Sequence, residues 1–232
     1  MARDIKPIKL WGQGGPNPPK VAILLEELDL PYETTAISFT DIKKPDYLAI
    51  NPNGRIPAIH DPNFDITLWE SGAIVEYLTE RYDTDHRFSF PAGTPEAYHA
   101  KQWLFFQASG QGPYYGQASW FKKFHQEKLP SALERYCKEV ARVTGVLEGW
   151  LAQQKEKFGD DTKSSDGPWM VGNKLSYVDF AFFSWQTIVA MILEKSEFDP
   201  DDFPLVKEWL GKLGSRRAVK SVLDATVAAS TK

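Results

Sequence analysis

Three short stretches of this sequence combine residue types that can hold or activate a small ligand. In Arg55-Ile56-Pro57-Ala58-Ile59, a proline stands at the start of an apolar run that resembles a strand. A trans Pro57 would be an ordinary way to begin an edge strand. A cis Pro57 would instead form a tight turn that exposes the N–H and C=O of Ile56, which can then pair antiparallel with an extended peptide. The residues alone leave both conformations open.

The second stretch, Glu70-Ser71-Gly72, follows a strand-like run and opens a helical one. Acidic and hydroxyl residues favour the first turn of any helix, which is a sufficient reason for their presence. The same residues can also form an anion site, because helix N-terminal N–H groups and a serine hydroxyl together bind a carboxylate. In that case Glu70 would hold a nearby ammonium group.

The third stretch is Asn17-Pro18, at the predicted start of a helix. As an N-cap, the Asn17 side-chain oxygen would accept a hydrogen bond from a helix N–H. Alternatively, its amide would donate to a thiolate held at the helix N-terminus, a place that lowers the pKa of a thiol. Asparagine carries no titratable proton, so it can act only as a donor and not as a base.

Aromatic residues are interleaved between Gln102 and Phe124, at helical spacing. Most of such a stripe belongs to a core or a subunit interface. We expect Tyr114, Tyr115 and Trp120 to line an apolar pocket near a domain boundary.

The elements that must position these residues follow a β-α-β-α-β-β-α order in the first part of the chain. The predicted strands are 6–11, 31–37, 57–59 and 66–68, and the predicted helical segments are 17–29, 43–50 and 70–82. Alternation followed by a strand pair is typical of an α/β half with a mixed sheet.

The second part of the chain contains no further convincing strand. We predict long helices over 96–125, bent near Gly110-Gly112-Pro113, and over 132–158, then a polar loop at 159–168. A buried helix follows from Ser176, and shorter ones begin at Pro204 and Arg216. The predicted division is therefore an α/β domain at 1–82, a linker at 83–95 and an all-α domain at 96–232.

Ser176-Tyr177-Val178-Asp179 has the spacing of a capping box. In that motif the Ser176 hydroxyl accepts from the Asp179 N–H, while the Asp179 carboxylate reaches back to the Ser176 N–H. We interpret this segment as the structural start of a buried helix and not as a catalytic element.

Composition excludes several classes of function. Hydrophobic residues make up 42% and charged residues 25% of the chain, so it can bury an ordinary globular core. The net charge of −4 argues against a broad nucleic-acid-binding surface. No apolar run approaches the ~20 residues that span a bilayer, and Met1 to Pro7 shows no apolar secretory segment. We predict no nucleic-acid or membrane partner.

The chain has one cysteine, Cys137, and four scattered histidines. These exclude an internal disulfide and offer no metal-ligand cluster of the usual spacing. We predict a cytoplasmic protein without a metal, in which Cys137 is structural because it lies mid-helix, far in sequence from the other motifs.

In this order, the motifs resemble those of a cytosolic glutathione transferase over about Ile8 to Val222. The resemblance is carried by Ile56-Pro57-Ala58-Ile59, Glu70-Ser71-Gly72-Ala73-Ile74 and Ser176-Tyr177-Val178-Asp179. It is closest to the fungal class related to the yeast nitrogen-catabolite regulator and prion, and to the bacterial Nu class. That finer match lies in three segments: Gly15-Pro16-Asn17-Pro18-Pro19-Lys20-Val21-Ala22, Gln102-Trp103-Leu104-Phe105-Phe106-Gln107 and Leu133-Glu134-Arg135-Tyr136.

The resemblance implies a thioredoxin-like domain followed by an all-helical domain, a homodimer, and glutathione as co-substrate. It implies a cis Pro57, an Ile56 backbone that pairs the cysteinyl part of glutathione, and Glu70 and Ser71 that grip its γ-glutamyl end. It further implies positive charge from Arg55 and a catalytic role for Asn17. Relatives tend to carry a basic ligand for the glycine carboxylate where this chain has Ile42, which leaves Lys43 or Lys44 for that role.

Three activities are compatible with this resemblance. The first adds the glutathione thiolate to an apolar electrophile, and the second reduces disulfides or hydroperoxides with two glutathiones. The third is a non-catalytic regulatory protein that keeps the fold and binds a partner. A specialised transferase of secondary metabolism is a further variant of the first activity.

Overall fold

The computed structural model describes residues 5–159 and 167–230, and the described chain divides into two compact units. The first unit takes in the chain up to Asp85 together with the segment from Arg216 on, and the second comprises His86–Ser215. Most of the polar loop predicted at 159–168 lies outside the described residues.

The first unit contains a four-stranded mixed sheet in the order β2-β1-β3-β4. Strand β1 pairs parallel with β2 and antiparallel with β3, and β3 pairs antiparallel with β4. The strands are β1 (Ile8–Trp11), β2 (Tyr32–Thr35), β3 (Ala58–Asp61) and β4 (Ile66–Trp69), and the helices are α1 (Pro18–Glu27), α2 (Pro45–Leu48) and α3 (Ser71–Tyr82). The predicted thioredoxin-like α/β architecture is confirmed.

Helix α1 is buried along nearly its whole length. Apart from Glu26, every one of its residues is buried, because α3 and the last helix of the chain pack against it. Pro18 and Pro19 occupy its first two positions, where the missing N–H groups cost no intrahelical hydrogen bond.

That last helix, α9 (Arg217–Ser230), returns to the first unit. Arg216, just before it, donates from Nε and Nη2 to the two carboxylate oxygens of Glu27, with the Nη2–Oε2 distance at 2.8 Å. A bidentate guanidinium–carboxylate pair fixes both position and orientation. The compact units therefore differ from the predicted division, which assigned all of 96–232 to one helical domain.

The second unit is helical. Its helices are α4 (Pro95–Phe106), α5 (Gly112–Lys123), α6 (Pro130–Phe158), α7 (Tyr177–Ile192) and α8 (Pro204–Ser215). A single π-helical turn, Gln107–Gln111, joins α4 to α5. This turn lies where the sequence predicts a bend, and it is a local widening of the helical hydrogen-bond pattern.

The predicted capping box is present at the start of α7. The Asp179 Oδ2 accepts the Ser176 N–H at 2.9 Å, and the Ser176 side chain accepts the Asp179 N–H in return. The Ser176 hydroxyl also donates to the Asp179 Oδ2 at 3.1 Å. These bonds fix the first turn of α7, as expected of a structural helix start.

Asp179 is fully buried and joins three segments of the second unit. Its Oδ1 accepts the Met170 N–H and the Trp209 indole N–H, each at 3.0 Å. Burial raises the pKa of Asp179 to about 6, while these hydrogen bonds act in the opposite direction. The carboxylate therefore holds α7, α8 and the segment before α7 together from one point.

We predict that Asp179→Asn destabilises the fold. An amide has one acceptor oxygen where the carboxylate has two, so one pair of buried donors loses its acceptor, at about 1–3 kcal/mol. The midpoint of urea unfolding at pH 7 should fall accordingly.

Asp201→Asn in the same unit is the matched control. Asp201 is an exposed residue that pairs with Lys195 and Lys207, so solvent screening makes its loss small. Equal midpoints for Asp179→Asn and wild type would contradict the structural role of Asp179.

Candidate functional site

The loop between β1 and α1 passes directly against Ile56. Gly12 has a φ of +118°, and a Cβ on it would lie 2.7 Å from the Ile56 Cβ. Only glycine allows so close an approach of the two backbones. This contact brings the beginning of α1 next to the turn that contains Pro57.

Asn17 occupies the N-cap position of α1 but makes no side-chain cap hydrogen bond. Pro18 and Pro19 remove the N–H groups of the first two helical positions, and the third N–H, of Lys20, donates to the Asn17 carbonyl at 3.2 Å. The capping interpretation of the Asn17 side chain is therefore not the one that the structure adopts. Its amide stands half-buried at the positive end of the helix dipole.

The Ile56–Pro57 peptide bond is cis, which resolves the alternative that the residues left open. The carbonyl of Arg55, immediately before it, accepts hydrogen bonds from the Tyr47 hydroxyl at 2.8 Å and from the Asn51 amide at 2.7 Å. Both donors are buried. The Ile56 backbone is thereby held in place from the side of the protein, whereas the Arg55 side chain itself is exposed.

Of the two candidate lysines, Lys43 lies closer to this turn. Its Nζ donates to the Asn53 carbonyl at 2.9 Å. Lys44 instead pairs with Asp41 at 2.5 Å and is exposed. Ile42 is buried with Tyr47 and Ala58 in a small apolar cluster, so its side chain serves the core.

Glu70 has a backbone φ of +70°, an unusual value for a residue other than glycine. Its Oε1 lies 3.5 Å from the Asn53 amide, which donates to it. Such strained backbone costs about 1–3 kcal/mol and is concentrated at ligand-binding sites. Because helix α3 begins at the next residue, the Glu70 side chain and the Ser71 hydroxyl both lie at the N-terminus of α3.

Ser71, half-buried at the first position of α3, accepts a hydrogen bond from Lys20. The Lys20 Nζ lies 3.4 Å from the Ser71 Oγ, and Lys20 is only 3% exposed. Burial lowers the pKa of Lys20 to about 7, while the charge of Glu70 acts to raise it. A buried lysine side chain therefore stands directly behind the predicted anion site.

No motif in the sequence analysis pointed to Lys20, Tyr47, Asn51 or Asn53. A signal exists for two of them, because Asn51-Pro52-Asn53-Gly54 has the composition of a turn, and turn asparagines often bond nearby backbone groups. For Lys20 the signal was one charged residue at the start of an apolar helix.

The three residues predicted to line an apolar pocket for the electrophile, Tyr114, Tyr115 and Trp120, all lie in the second unit. Tyr115 is a correction: it is fully buried, and its hydroxyl bonds Thr144 at 2.7 Å and Gln186 at 3.0 Å. These partners make Tyr115 part of a core polar network and not a pocket wall. Tyr114 is half-buried, and Trp120 is 50% exposed.

No group of three or more His, Cys, Asp or Glu side chains in the described part of the chain is arranged to share a metal ion. Within the same ranges, no helix combines the length and the apolar character that crossing a bilayer requires.

The arrangement in the first unit suits a short extended ligand. Three contacts bring its groups together: Gly12 with Ile56, Asn53 with Glu70, and Lys20 with Ser71. The groups are the backbone edge at Ile56, the acidic side chain of Glu70, the Ser71 hydroxyl and the Asn17 amide donor. A peptide with a free α-amino and α-carboxyl end and a thiol matches these groups in chemical type.

Comparison with known proteins gives a consistent result. The family model of the glutathione S-transferase N-terminal domain matches residues 6–80, and that of the C-terminal domain matches residues 114–225. The chain is 61% identical over 222 residues to the glutathione S-transferase-like protein gedE of Aspergillus terreus, which covers 95% of this chain and 96% of that protein.

Two solved structures from Phanerochaete chrysosporium are also similar. The glutathione transferase URE2P8 with oxidized glutathione is 35% identical, with a TM-score of 0.87 and full coverage of both chains (100% each). Ure2p5, cocrystallized with 1-(S-glutathionyl)-2,4-dinitrobenzene, is 38% identical, with a TM-score of 0.84 and coverage of 98% of this chain and 97% of that one.

Cys137 lies on α6, and it is 6% exposed. Burial raises the pKa of its thiol to about 11, and the charge of Glu197 acts in the same direction. The thiolate, which is the reactive form, is therefore a very small fraction at neutral pH.

We predict that Cys137→Ser leaves turnover close to wild type. We also expect the wild-type thiol to react with iodoacetamide at pH 7.5 far more slowly than free cysteine, and to accelerate only well above pH 9. The assay is turnover of the folded variant, with circular dichroism as the folding control. A loss of turnover beyond tenfold in folded Cys137→Ser would overturn this assignment.

Proposed function

Because this chain belongs to the glutathione S-transferase family, in its fungal Ure2-like class, we propose that it binds glutathione in the first unit and uses its thiolate on an apolar electrophile. The Ile56 backbone pairs the cysteinyl residue, while Glu70 and Ser71 bind the ammonium and carboxylate of the γ-glutamyl group. Lys43 receives the glycine carboxylate, aided by the positive charge of Arg55.

The observation that supports this proposal most directly is the strained backbone of Glu70. The strain places an acidic side chain and the N-terminus of α3 side by side, which is the pair of charges that an amino-acid end requires. The complex of the similar URE2P8 with oxidized glutathione supports the choice of ligand.

In this proposal Asn17 donates its amide to the glutathione thiolate. The structure leaves that amide without a capping role, and the positive end of the α1 dipole lies at the same place. Because Pro18 and Pro19 supply no N–H donors, the side chain of Asn17 carries more of the stabilisation than it would at an ordinary helix start.

Two reactions of the bound thiolate compete. The dinitrobenzene conjugate bound by the similar Ure2p5 supports addition to an electrophile, and oxidized glutathione in URE2P8 supports disulfide reduction. We place addition first and disulfide or hydroperoxide reduction second. A regulatory protein without catalysis is the third reading, and a specialised biosynthetic transferase is a form of the first.

The experiment that separates these reactions is a substrate panel with titrated glutathione. It should include a chlorodinitrobenzene-type electrophile, a hydroperoxide and a mixed disulfide. Turnover of the first class supports the proposal, and turnover of the other two alone supports the reductase. Glutathione binding without turnover of any class supports the regulatory reading.

We also propose a cytoplasmic homodimer. The single buried cysteine suits a reducing compartment. Tyr98 and Phe105, seven residues apart on α4, are each 66% exposed and lie on one helix face. A second copy of this chain is the simplest cover for such an apolar face, because isologous pairing is the commonest form of association.

Our prediction for binding concerns Ser71→Ala and Glu70→Gln. Each variant removes one charge-assisted contact, worth about 1.5–3 kcal/mol, so each should weaken glutathione binding roughly tenfold or more. Calorimetry measures this directly. Glu80→Gln, an exposed change on the same helix α3, is the control, and wild-type affinity in both test variants would reject the site.

For Asn17, the expected result is a higher pKa of bound glutathione in Asn17→Ala and a rate lower by roughly ten- to a hundredfold. Asn17→Asp should raise the pKa further, because a carboxylate repels the thiolate. The ultraviolet thiolate band followed against pH is the measurement, and superimposable curves for Asn17→Ala and wild type would exclude the role.

For the dimer, light scattering at micromolar concentration should give twice the chain mass of 26.3 kDa. Phe105→Glu should shift the protein toward the monomer, because it buries a charge in the proposed interface. Met191→Glu is the control, since Met191 is 79% exposed at the end of α7. A monomeric wild-type mass would reject the proposal.

A further inference from the structure

Lys20 is not one of the residues proposed above to contact glutathione, and its burial is unusual for a lysine. Lysine is among the residues least often fully buried, yet Lys20 is 3% exposed in the first turns of α1. Its stem lies within the first unit, and its Nζ points to the Ser71 Oγ at 3.4 Å. The side chain thus approaches the start of α3 from inside the protein.

The hydrogen bond from Lys20 constrains the Ser71 hydroxyl. A serine hydroxyl has one donor hydrogen and two acceptor lone pairs. When Lys20 is protonated, its ammonium donates to one lone pair of the Ser71 hydroxyl, so the hydroxyl hydrogen points away from Lys20. In that direction it can donate to a carboxylate at the N-terminus of α3, and the ammonium polarises the bond further.

The charges around Lys20 make its protonation sensitive to a ligand. Burial lowers the pKa of Lys20 to about 7, and Glu70, at the start of α3, acts to raise it. On α1 itself, Glu27 is paired with Arg216, and Glu26 accepts the Tyr32 hydroxyl. The other charged residues on the helices packed against α1 are Glu76, Glu80 and Arg81 on α3 and Arg217, Lys220 and Asp224 on α9.

We propose that Lys20 is a positioning residue for carboxylate recognition: it orients the Ser71 hydroxyl and takes up a proton when the γ-glutamyl carboxylate binds. The inference rests on the proposed function, since it deepens the account of the same site. The proton comes from the solvent and stays on Nζ, so no covalent bond of the ligand changes. Binding then depends on pH through a residue that the ligand does not touch.

The consequence is a measurable proton uptake. Because burial lowers the pKa of Lys20 to about 7, part of the free molecules carries Lys20 unprotonated at pH 7.5. A carboxylate that raises this pKa therefore draws in a fraction of a proton per site. At pH 6 the group is already protonated, so the uptake should approach zero.

The experiment is calorimetry of S-hexylglutathione binding in buffers of different ionisation enthalpy, at pH 6 and pH 7.5. This ligand has no free thiol, so the proton that glutathione itself would release does not enter. A matched ligand, the S-hexyl derivative of 4-aminobutyryl-Cys-Gly, lacks only the γ-glutamyl carboxylate. We expect uptake at pH 7.5 with the first ligand and none with the second.

Two variants assign the proton to Lys20. Lys20→Met should abolish the uptake and weaken binding at pH 7.5 roughly tenfold. Lys20→Arg keeps a permanent charge, so it should abolish the uptake while keeping affinity within a few-fold of wild type. Lys220→Met, an exposed change on α9, is the control and should retain both uptake and affinity.

The outcomes separate this inference from the proposed function. Wild-type protein that fails to bind S-hexylglutathione overturns the proposed function, and the inference with it. Binding without uptake at pH 7.5, or uptake that persists in Lys20→Met or with the decarboxy ligand, overturns the inference alone. If neither variant folds, the two wild-type titrations still test the inference, because equal proton uptake with the two ligands at pH 7.5 overturns it.

Discussion

Helix α1 is enclosed on several sides, and this burial determines the geometry of the first unit. Helices α3 and α9 pack on it, and all of its residues except Glu26 are buried. A helix so enclosed has one axial position and one rotation, because close packing tolerates little displacement. The beginning of α1 therefore holds Asn17 beside the Gly12–Ile56 contact. Lys20, its third residue, contacts Ser71, and Glu27, its last residue, pairs with Arg216. The candidate site and the return of the chain depend on the same helix.

Hydrogen bonds on the protein side of the candidate site, which a ligand would not contact, hold its residues in place. Tyr47 and Asn51 hold the Arg55 carbonyl, Asn53 reaches Glu70, and Lys20 reaches Ser71. Each supporting bond removes a freedom that binding would otherwise have to remove, which is the physical meaning of preorganisation. The strain at Glu70 and the buried charge of Lys20 act against stability. Both persist because the surrounding sheet and helices supply a larger stabilisation.

In the helical unit, polar side chains buried in an aromatic core are paired with one another by hydrogen bonds. Gln111 donates to Gln186, and Gln186 also receives the Tyr115 hydroxyl. Asp179 gathers four donors at one carboxylate. Buried polar groups that are fully paired specify one arrangement, since any other would leave donors without acceptors. The π-helical turn at Gln107–Gln111 contributes Gln107 and Gln111 to this network, where Gln107 donates to Gln111.

Local pattern in the sequence determined the order of strands and helices, the thioredoxin-like class and the start of α7, because periodicity, prolines and caps act over a few residues. It also selected Ile56-Pro57 and Glu70-Ser71, whose residue types are unusual together. Only the tertiary structure decided the cis peptide, the absence of a cap bond at Asn17, the burial of Tyr115 and the position of Lys20 behind Ser71. It also decided that α9 packs on α1, 189 residues away in the case of the Arg216–Glu27 pair. These features arise from contacts between segments that are distant in the sequence. The free energy of such contacts cannot be read from the residues adjacent to either partner.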